Sequence, residues 1–221
     1  MNRYVFHDRR HAGHVLSQVL GAYANRSDAI VLALPRGGVP VAYEVARALN
    51  LPLDVFVVRK LGVPGHEEYA MGAIASGGVR VLNNQVIKML GISDAAVDDV
   101  ARAEQAELER REHLYRDDRP APDIRGRAVI LVDDGLATGS TMQAAVKALR
   151  AQAPARIVVA VPTAAAETCG QLRHVADEVV CATTPQPFRA VGLWYEDFAQ
   201  TSDDEVRQLL ERAQHEAETS A

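Results

Sequence analysis

The amino-acid sequence predicts an α/β fold in which a parallel sheet is flanked by helices on both faces. Short apolar runs rich in β-branched residues recur at 29–34, 53–58, 128–132, 156–161 and 178–181, and such runs read as strands buried on both sides. Stretches with helical periodicity at 39–49, 141–151 and 164–175 lie between several of them. Strand and helix therefore alternate, the pattern that builds a parallel sheet covered by its own crossovers.

Composition bounds what such a fold does. A chain of 221 residues, 48% of them apolar and 24% charged, buries one sizeable core and has no room for two full domains. A formal charge of −5 lacks the basic footprint of a nucleic-acid binder. No stretch approaches the ~20 apolar residues of a membrane span, and residues 1–15 lack the apolar core of a signal peptide. A soluble, cytoplasmic protein with no nucleic-acid or membrane partner is expected. The spacing of Cys169 and Cys181 fits neither a disulfide framework nor a paired zinc knuckle, so both are expected to be buried, reduced thiols.

Two segments depart from the alternating rhythm. In 69–83, Ser76-Gly77-Gly78 separates two short apolar runs in the manner of a hairpin. From Asp94 to about Arg116 a charged helix carries Glu107 with Arg111 and Glu112 with Arg116 at i,i+4 spacing, above a sparse apolar stripe of Val97, Val100 and Ala101. That helix is expected to be solvated or to face a partner. The prolines of Arg119-Pro120-Ala121-Pro122-Asp123 end it. Ser202 and Glu205 form a capping box for a last helix through Val206, Leu209 and Leu210.

The chemistry is concentrated in Val129 to Met142, a buried strand running into Asp133-Asp134, a small-residue loop and a helix. Ala137, Thr138, Gly139, Ser140 and Thr141 place amides and hydroxyls at a helix N-terminus, where the unpaired N–H groups and the helix dipole favour a phosphate. Gly139 permits the tight loop. The two carboxylates at the C-terminal end of a parallel strand suit the vicinal hydroxyls of a sugar. A Walker loop would need a Lys before the Ser/Thr, and a dinucleotide fingerprint would need Gly-x-Gly-x-x-Gly; neither is present. A rival constellation is His7, His11 and His14, which share a face if the first segment is helical and so suit a metal. Against it, Asp8 reads as the cap of that helix, which leaves His7 outside.

The two acids followed by a loop ending in Thr-Gly-x-Thr resemble the signature of type I phosphoribosyltransferases. Leu34-Pro35-Arg36-Gly37-Gly38-Val39 resembles the family's pyrophosphate loop, and Arg59-Lys60 with the following segment resembles its third strand end and mobile loop. The segment from Pro187 to Tyr195 is similar to the base-binding hood of purine-type members. The chain also looks like a bacterial group of the family that shares Trp194-Tyr195-x-Asp197-Phe198.

The resemblance implies one phosphoribosyltransferase domain over 1–221, with a mobile loop at 60–83, a charged helical insertion at 94–118 and a C-terminal hood and helix at 185–221. It also implies a small hood and a hairpin lid beside the sheet. The activity it implies is transfer of the 5-phosphoribosyl group from phosphoribosyl pyrophosphate to a purine-like nitrogenous base, with release of pyrophosphate. Asp133 and Asp134 would hold the ribose, and 137–141 the 5-phosphate. Arg36, Gly37, Gly38, Arg59 and Lys60 would hold the pyrophosphate. Phe188 is the first candidate to stack on the base and Trp194 the second. Mg²⁺ would be held mainly by substrate oxygens rather than by a protein metal site.

Ala137 departs from the 6-oxopurine members, which carry an acid there, and resembles the adenine members. Those use a lid Glu, for which Glu67 or Glu68 is the candidate. The alternative is a non-catalytic sensor of phosphoribosyl pyrophosphate acting on a protein partner. A homodimer is the default assembly.

Overall fold

The computed structural model of the chain describes residues 5–117 and 119–219. Its helices are α1 (Arg9–Val19), α2 (Gly38–Leu49), α3 (Asn84–Met89), α4 (Asp94–Arg116), α5 (Ser140–Ala151), α6 (Ala166–Leu172) and α7 (Asp203–Thr219). Its strands are β1 (Ala29–Ala33), β2 (Leu53–Val55), β3 (Val58–Val63), β4 (His66–Ala75), β5 (Val79–Leu82), β6 (Ala128–Val132), β7 (Arg156–Thr163) and β8 (Glu178–Thr183). The main sheet has the order β2-β1-β6-β7-β8, and its pairings are parallel.

Every residue of β1 and β6 is buried because side chains alternate between two covered faces. Val31, Ile130 and Val158 join the layer formed with Leu16, Val41, Val45 and Leu209 of α1, α2 and α7. Leu32, Leu131 and Val159 join the opposite layer, with Met142, Leu149 and Leu172 of α5 and α6. The uninterrupted apolar runs of the sequence are the direct result. Asp8 caps α1 by accepting from His11 N–H, and Ser202 accepts from Glu205 N–H at 3.1 Å ahead of α7.

The apolar run at 53–58 splits. β2 ends at Val55, and Val58 opens a second, antiparallel sheet of order β3-β4-β5. The Ser76-Gly77-Gly78 turn joins β4 to β5, with Gly77 and Gly78 at φ +82° and +74°. The segment 60–83, expected as a mobile loop, is mostly this sheet: Leu61, Val63, Met71 and Ile74 are buried and tie it to the core. Its apolar content accounts for that order. Gly62 marks a register shift in β3, where β4 passes so close that a Cβ would lie 2.9 Å from Glu67 Cα.

The charged helix forms over the expected residues but is not a solvated appendage. Val97, Ala101, Leu108, Tyr115 and Arg116 are buried, an apolar stripe that continues past the three residues legible in sequence. Arg116, expected in a surface pair with Glu112, is 2% exposed. Its guanidinium donates to Asp54 at 2.9 Å, Glu112 at 2.6 Å and the Val55 carbonyl at 2.5 Å, so α4 is fastened to the end of β2.

The cysteines are also corrected: Cys169 of α6 and Cys181 of β8 form a disulfide. The parallel crossover from α6 into β8 brings together two thiols whose spacing in sequence gave no sign of it. Among the described residues no helix is long and apolar enough to cross a membrane.

Removing one partner of a buried ion pair strands the other charge, at a cost of about 3–5 kcal/mol. Arg116→Ala is therefore expected to lower the denaturant midpoint by that amount of stability, whereas Arg102→Ala, at a pair exposed on both sides, should change it by less than about 1 kcal/mol. Equal, small effects in equilibrium unfolding would show that the α4 anchor is misassigned.

Candidate functional site

The site is built where β1 and β6 end side by side. Leu34 N–H donates to the Val132 carbonyl at 2.9 Å, so the turn into α2 and the acids after β6 leave the sheet together. Gly37 packs on the Asp134 carboxylate so tightly that a Cβ would overlap Oδ2, and a Cβ on Gly38 would lie 2.8 Å from the Val132 carbonyl oxygen. This is why two glycines stand there: the α2 turn can approach the acids only without side chains. The Pro35-Arg36 peptide is cis. Arg36 is half-buried.

On the other side of the acids, Ala137, Thr138, Ser140 and Thr141 are exposed around the buried Gly139, which adopts φ +69°. Gly139 also faces Thr168, whose Cγ2 would lie 2.6 Å from a Cβ. Thr168 Oγ1 donates to the Ala137 carbonyl at 2.6 Å, and Leu136 N–H donates to the Thr163 carbonyl at 3.0 Å. The loop is thus fixed from below by β7 and α6. Intrahelical bonding in α5 begins with Gln143 N–H on the Gly139 carbonyl, which leaves the amides of the first turn directed out of the helix end, as an anion requires.

The acids themselves are unequal. Asp133 accepts from the Asp134 amide at 2.8 Å; burial, and then the neighbouring Asp134 charge, hold its carboxyl well above the usual range. Burial raises Asp134 too, opposed by the Arg9 guanidinium. Arg9, in the first turn of α1, donates from Nε to Asp134 Oδ2 at 2.9 Å and from Nη1 to the Ala199 carbonyl at 2.6 Å. Its guanidinium carbon lies 4.0 Å from the Phe198 ring centre.

Tyr195 completes the clamp by donating from its hydroxyl to the Asp134 carbonyl at 2.5 Å. Burial, followed by the Asp134 charge, pushes its phenol far up, so it stays a donor at any working pH. Sequence reasoning missed Arg9: it lies 125 positions from its partner, and nothing in its neighbourhood marks it as more than a helix-start residue.

Phe6 bridges to Tyr195, and Phe6, Ala12, Trp194 and Tyr195 form a separate small core under the C-terminal segment. Trp194, the second stacking candidate, is 3% exposed and belongs to that core. Phe188 is half-buried, stacked on Trp194 with centroids 6.2 Å apart and planes at 18°. Val191 reaches Gly135 beside the acids, where a Cβ would lie 2.5 Å from its Cγ1.

Arg59 and Lys60 part company, as neighbours on a strand do. Arg59 donates to Glu104 of α4 at 2.6 Å, while exposed Lys60 lines a cavity with Ser140. Glu67 is exposed on β4, and the Glu68 side chain lies outside the described residues. His7 lies outside α1 and contacts Glu196 at 2.5 Å; its amide donates to His11 Nδ1. Among the described residues no three His, Cys, Asp or Glu side chains gather as a metal site.

The structure is thus an α/β protein whose parallel sheet carries paired acids beside a helix start and a glycine turn. The phosphoribosyl transferase domain family matches residues 7–197, and the chain belongs to that family. It is 48% identical over 209 residues to Mycobacterium tuberculosis proteins, in two strains, that bear the name "Putative phosphoribosyl transferase"; the match takes in 95% of this chain. The chain spans about half the length of these relatives, 47%. The crystal structure of TT1426 from Thermus thermophilus is 43% identical and superposes with a TM-score of 0.84, over 93% of this chain and 97% of that one.

A carboxyl whose folded pKa is raised contributes stability below the ordinary aspartate value of ~3.9 and loses it as pH rises through the folded value. At neutral pH the Asp133 charge therefore costs stability. Asp133→Asn is expected to raise Tm near pH 7, by about 2–4 °C for each kcal/mol relieved in a chain of this size, and the gain should shrink towards pH 4. Thermal melts that show no gain at pH 7, or a larger one at pH 4, would contradict the burial of this charge.

Proposed function

We propose that the chain transfers the 5-phosphoribosyl group from phosphoribosyl pyrophosphate to a ring nitrogen of a purine-like base and releases pyrophosphate. The observation that carries the reading is the placement of Asp133 and Asp134 between the Gly37–Gly38 turn on one side and the Ala137–Thr141 loop on the other. A ribose at the acids has its 5-phosphate within reach of the helix start and its C1 substituent toward the turn.

The exposed hydroxyls of Thr138, Ser140 and Thr141 and the first-turn amides of α5 bind the phosphate. Asp133 and Asp134 accept from the ribose hydroxyls, and the desolvation that raises their pKa values is relieved by those hydrogen bonds. Arg36 and Lys60 stabilise the departing pyrophosphate; Arg59 joins them only by leaving Glu104. The base lies toward Phe188 and Val191. The protein's work is orientation and electrostatic stabilisation of a transition state with positive charge on the sugar.

Mg²⁺ fits the donor set. The acid pair is hard oxygen chemistry of the kind Mg²⁺ takes, with substrate phosphate oxygens as its main ligands. When bound it neutralises the pyrophosphate.

Two observations favour the second reading, a sensor that binds phosphoribosyl pyrophosphate without turnover: Asp134 is already occupied by Arg9, and Arg59 by Glu104. In either reading the assembly is a homodimer.

Thr138→Val removes a donor without changing volume and should weaken phosphoribosyl pyrophosphate binding by about tenfold in calorimetry. Asp133→Asn combined with Asp134→Asn should abolish turnover while the circular dichroism stays native. Unchanged affinity in the first variant would count against the phosphate loop, and unchanged turnover in the second against the ribose acids.

A further inference from the structure

A second cavity lies apart from the acids, between the outer face of α5 and the β3-β4-β5 sheet, with a volume of about 640 Å³. That size falls within the range of small-molecule sites. One wall is the stripe Ser140, Gln143, Ala144 and Lys147, which the helical period places on one face of α5. The other is β4, where Ala70, Gly72 and Ala73 leave the space open because none carries a long side chain. Asn83, Asn84 and Gln85 close one end with amides.

Its charge is out of keeping with the rest of the molecule. The chain holds only three lysines among its 24 basic residues, and two of them, Lys60 and Lys147, line this cavity. None of the lining residues is acidic, in a chain of net charge −5. On the neighbouring elements Arg59, Arg80, Arg110, Arg111 and Arg116 each bond a carboxylate. Neither lysine makes a hydrogen bond or ion pair among the described residues. Lys147 stands seven residues along α5 from Ser140, roughly 10 Å at 1.5 Å per residue, too far for it to serve a phosphate held by the helix start.

We propose that this cavity is a second ligand site for a phosphorylated, nucleotide-sized molecule. Lys147 and Lys60 hold its phosphate, the alanines with Val81 and Leu82 take an apolar ring, and the amides of Gln143 and Asn83 to Gln85 meet the ring's polar edge. Two ammonium groups lining one cavity without carboxylates select an anion. The mixed apolar and amide lining selects one that carries a flat, partly polar body. The site is independent of the transferase reading except that Lys60 and Ser140 stand at the edge of both.

The test is calorimetry of adenosine 5′-monophosphate and guanosine 5′-monophosphate on the full chain and on Lys147→Ala, Ala144→Phe and Thr138→Val. At least one nucleotide should bind a site that survives Thr138→Val, weakens by about tenfold in Lys147→Ala, and is blocked in Ala144→Phe. Phosphoribosyl pyrophosphate affinity should stay unchanged in Lys147→Ala. Binding of neither nucleotide overturns the proposal, as does binding that Thr138→Val weakens and Lys147→Ala leaves intact, which would place it at the phosphate loop. A Lys147-dependent site in a protein that does not bind phosphoribosyl pyrophosphate would support this proposal and refute the transferase reading.

Discussion

Asp134 is held from opposite ends of the chain, by Arg9 in the first turn of α1 and by Tyr195 at the edge of the C-terminal segment. Much else in the site depends on that hold. Arg9 also reaches the Ala199 carbonyl and lies over Phe198, and Phe6 bridges to Tyr195. The N-terminal segment and the hood are therefore one small packed unit whose polar contacts end on the acid. Without Arg9, a buried carboxylate pair would carry its full desolvation penalty with no opposing charge. The arrangement keeps Asp134 oriented and leaves Asp133, beside it, as the carboxyl most opposed to ionising.

That opposition has a chemical use. On the proposed function, hydroxyl donors of a vicinal diol relieve the desolvation of the two acids and draw binding energy to the sugar. The same scaffold places a helix start and a glycine turn on either side, each fixed by contacts a Cβ would break. Rigid backbone and unsatisfied polar groups together are what preorganisation requires.

The parallel sheet, its helices and the tight turn at Gly139 were legible because each rests on local rules: two-sided burial gives apolar runs, and a strand that runs through a small-residue loop into a helix needs a glycine at positive φ. What escaped reading depends on distant partners. Arg9 meets Asp134, Arg116 meets Asp54 and Val55, and Cys169 meets Cys181 only after crossovers bring the elements together. Leu108 and Tyr115, which bury α4, are each seven residues from the preceding member of the stripe, so a charged helix hid its apolar side. The segment after Lys60, a mobile loop by resemblance, pairs its residues across β3 and β4. Trp194, read as a stacking candidate, is core because aromatic content alone does not say which face a ring presents.

The central claim is that this site moves a phosphoribosyl group to a nitrogenous base. The most direct measurement is incubation of the protein with phosphoribosyl pyrophosphate, Mg²⁺ and, separately, adenine, guanine, hypoxanthine, xanthine, uracil and orotate, with mass spectrometry of the products. The account predicts one purine 5′-nucleotide formed in equal amount with pyrophosphate. Absence of any nucleotide would contradict it, with binding of phosphoribosyl pyrophosphate then marking the sensor and no binding refuting both readings.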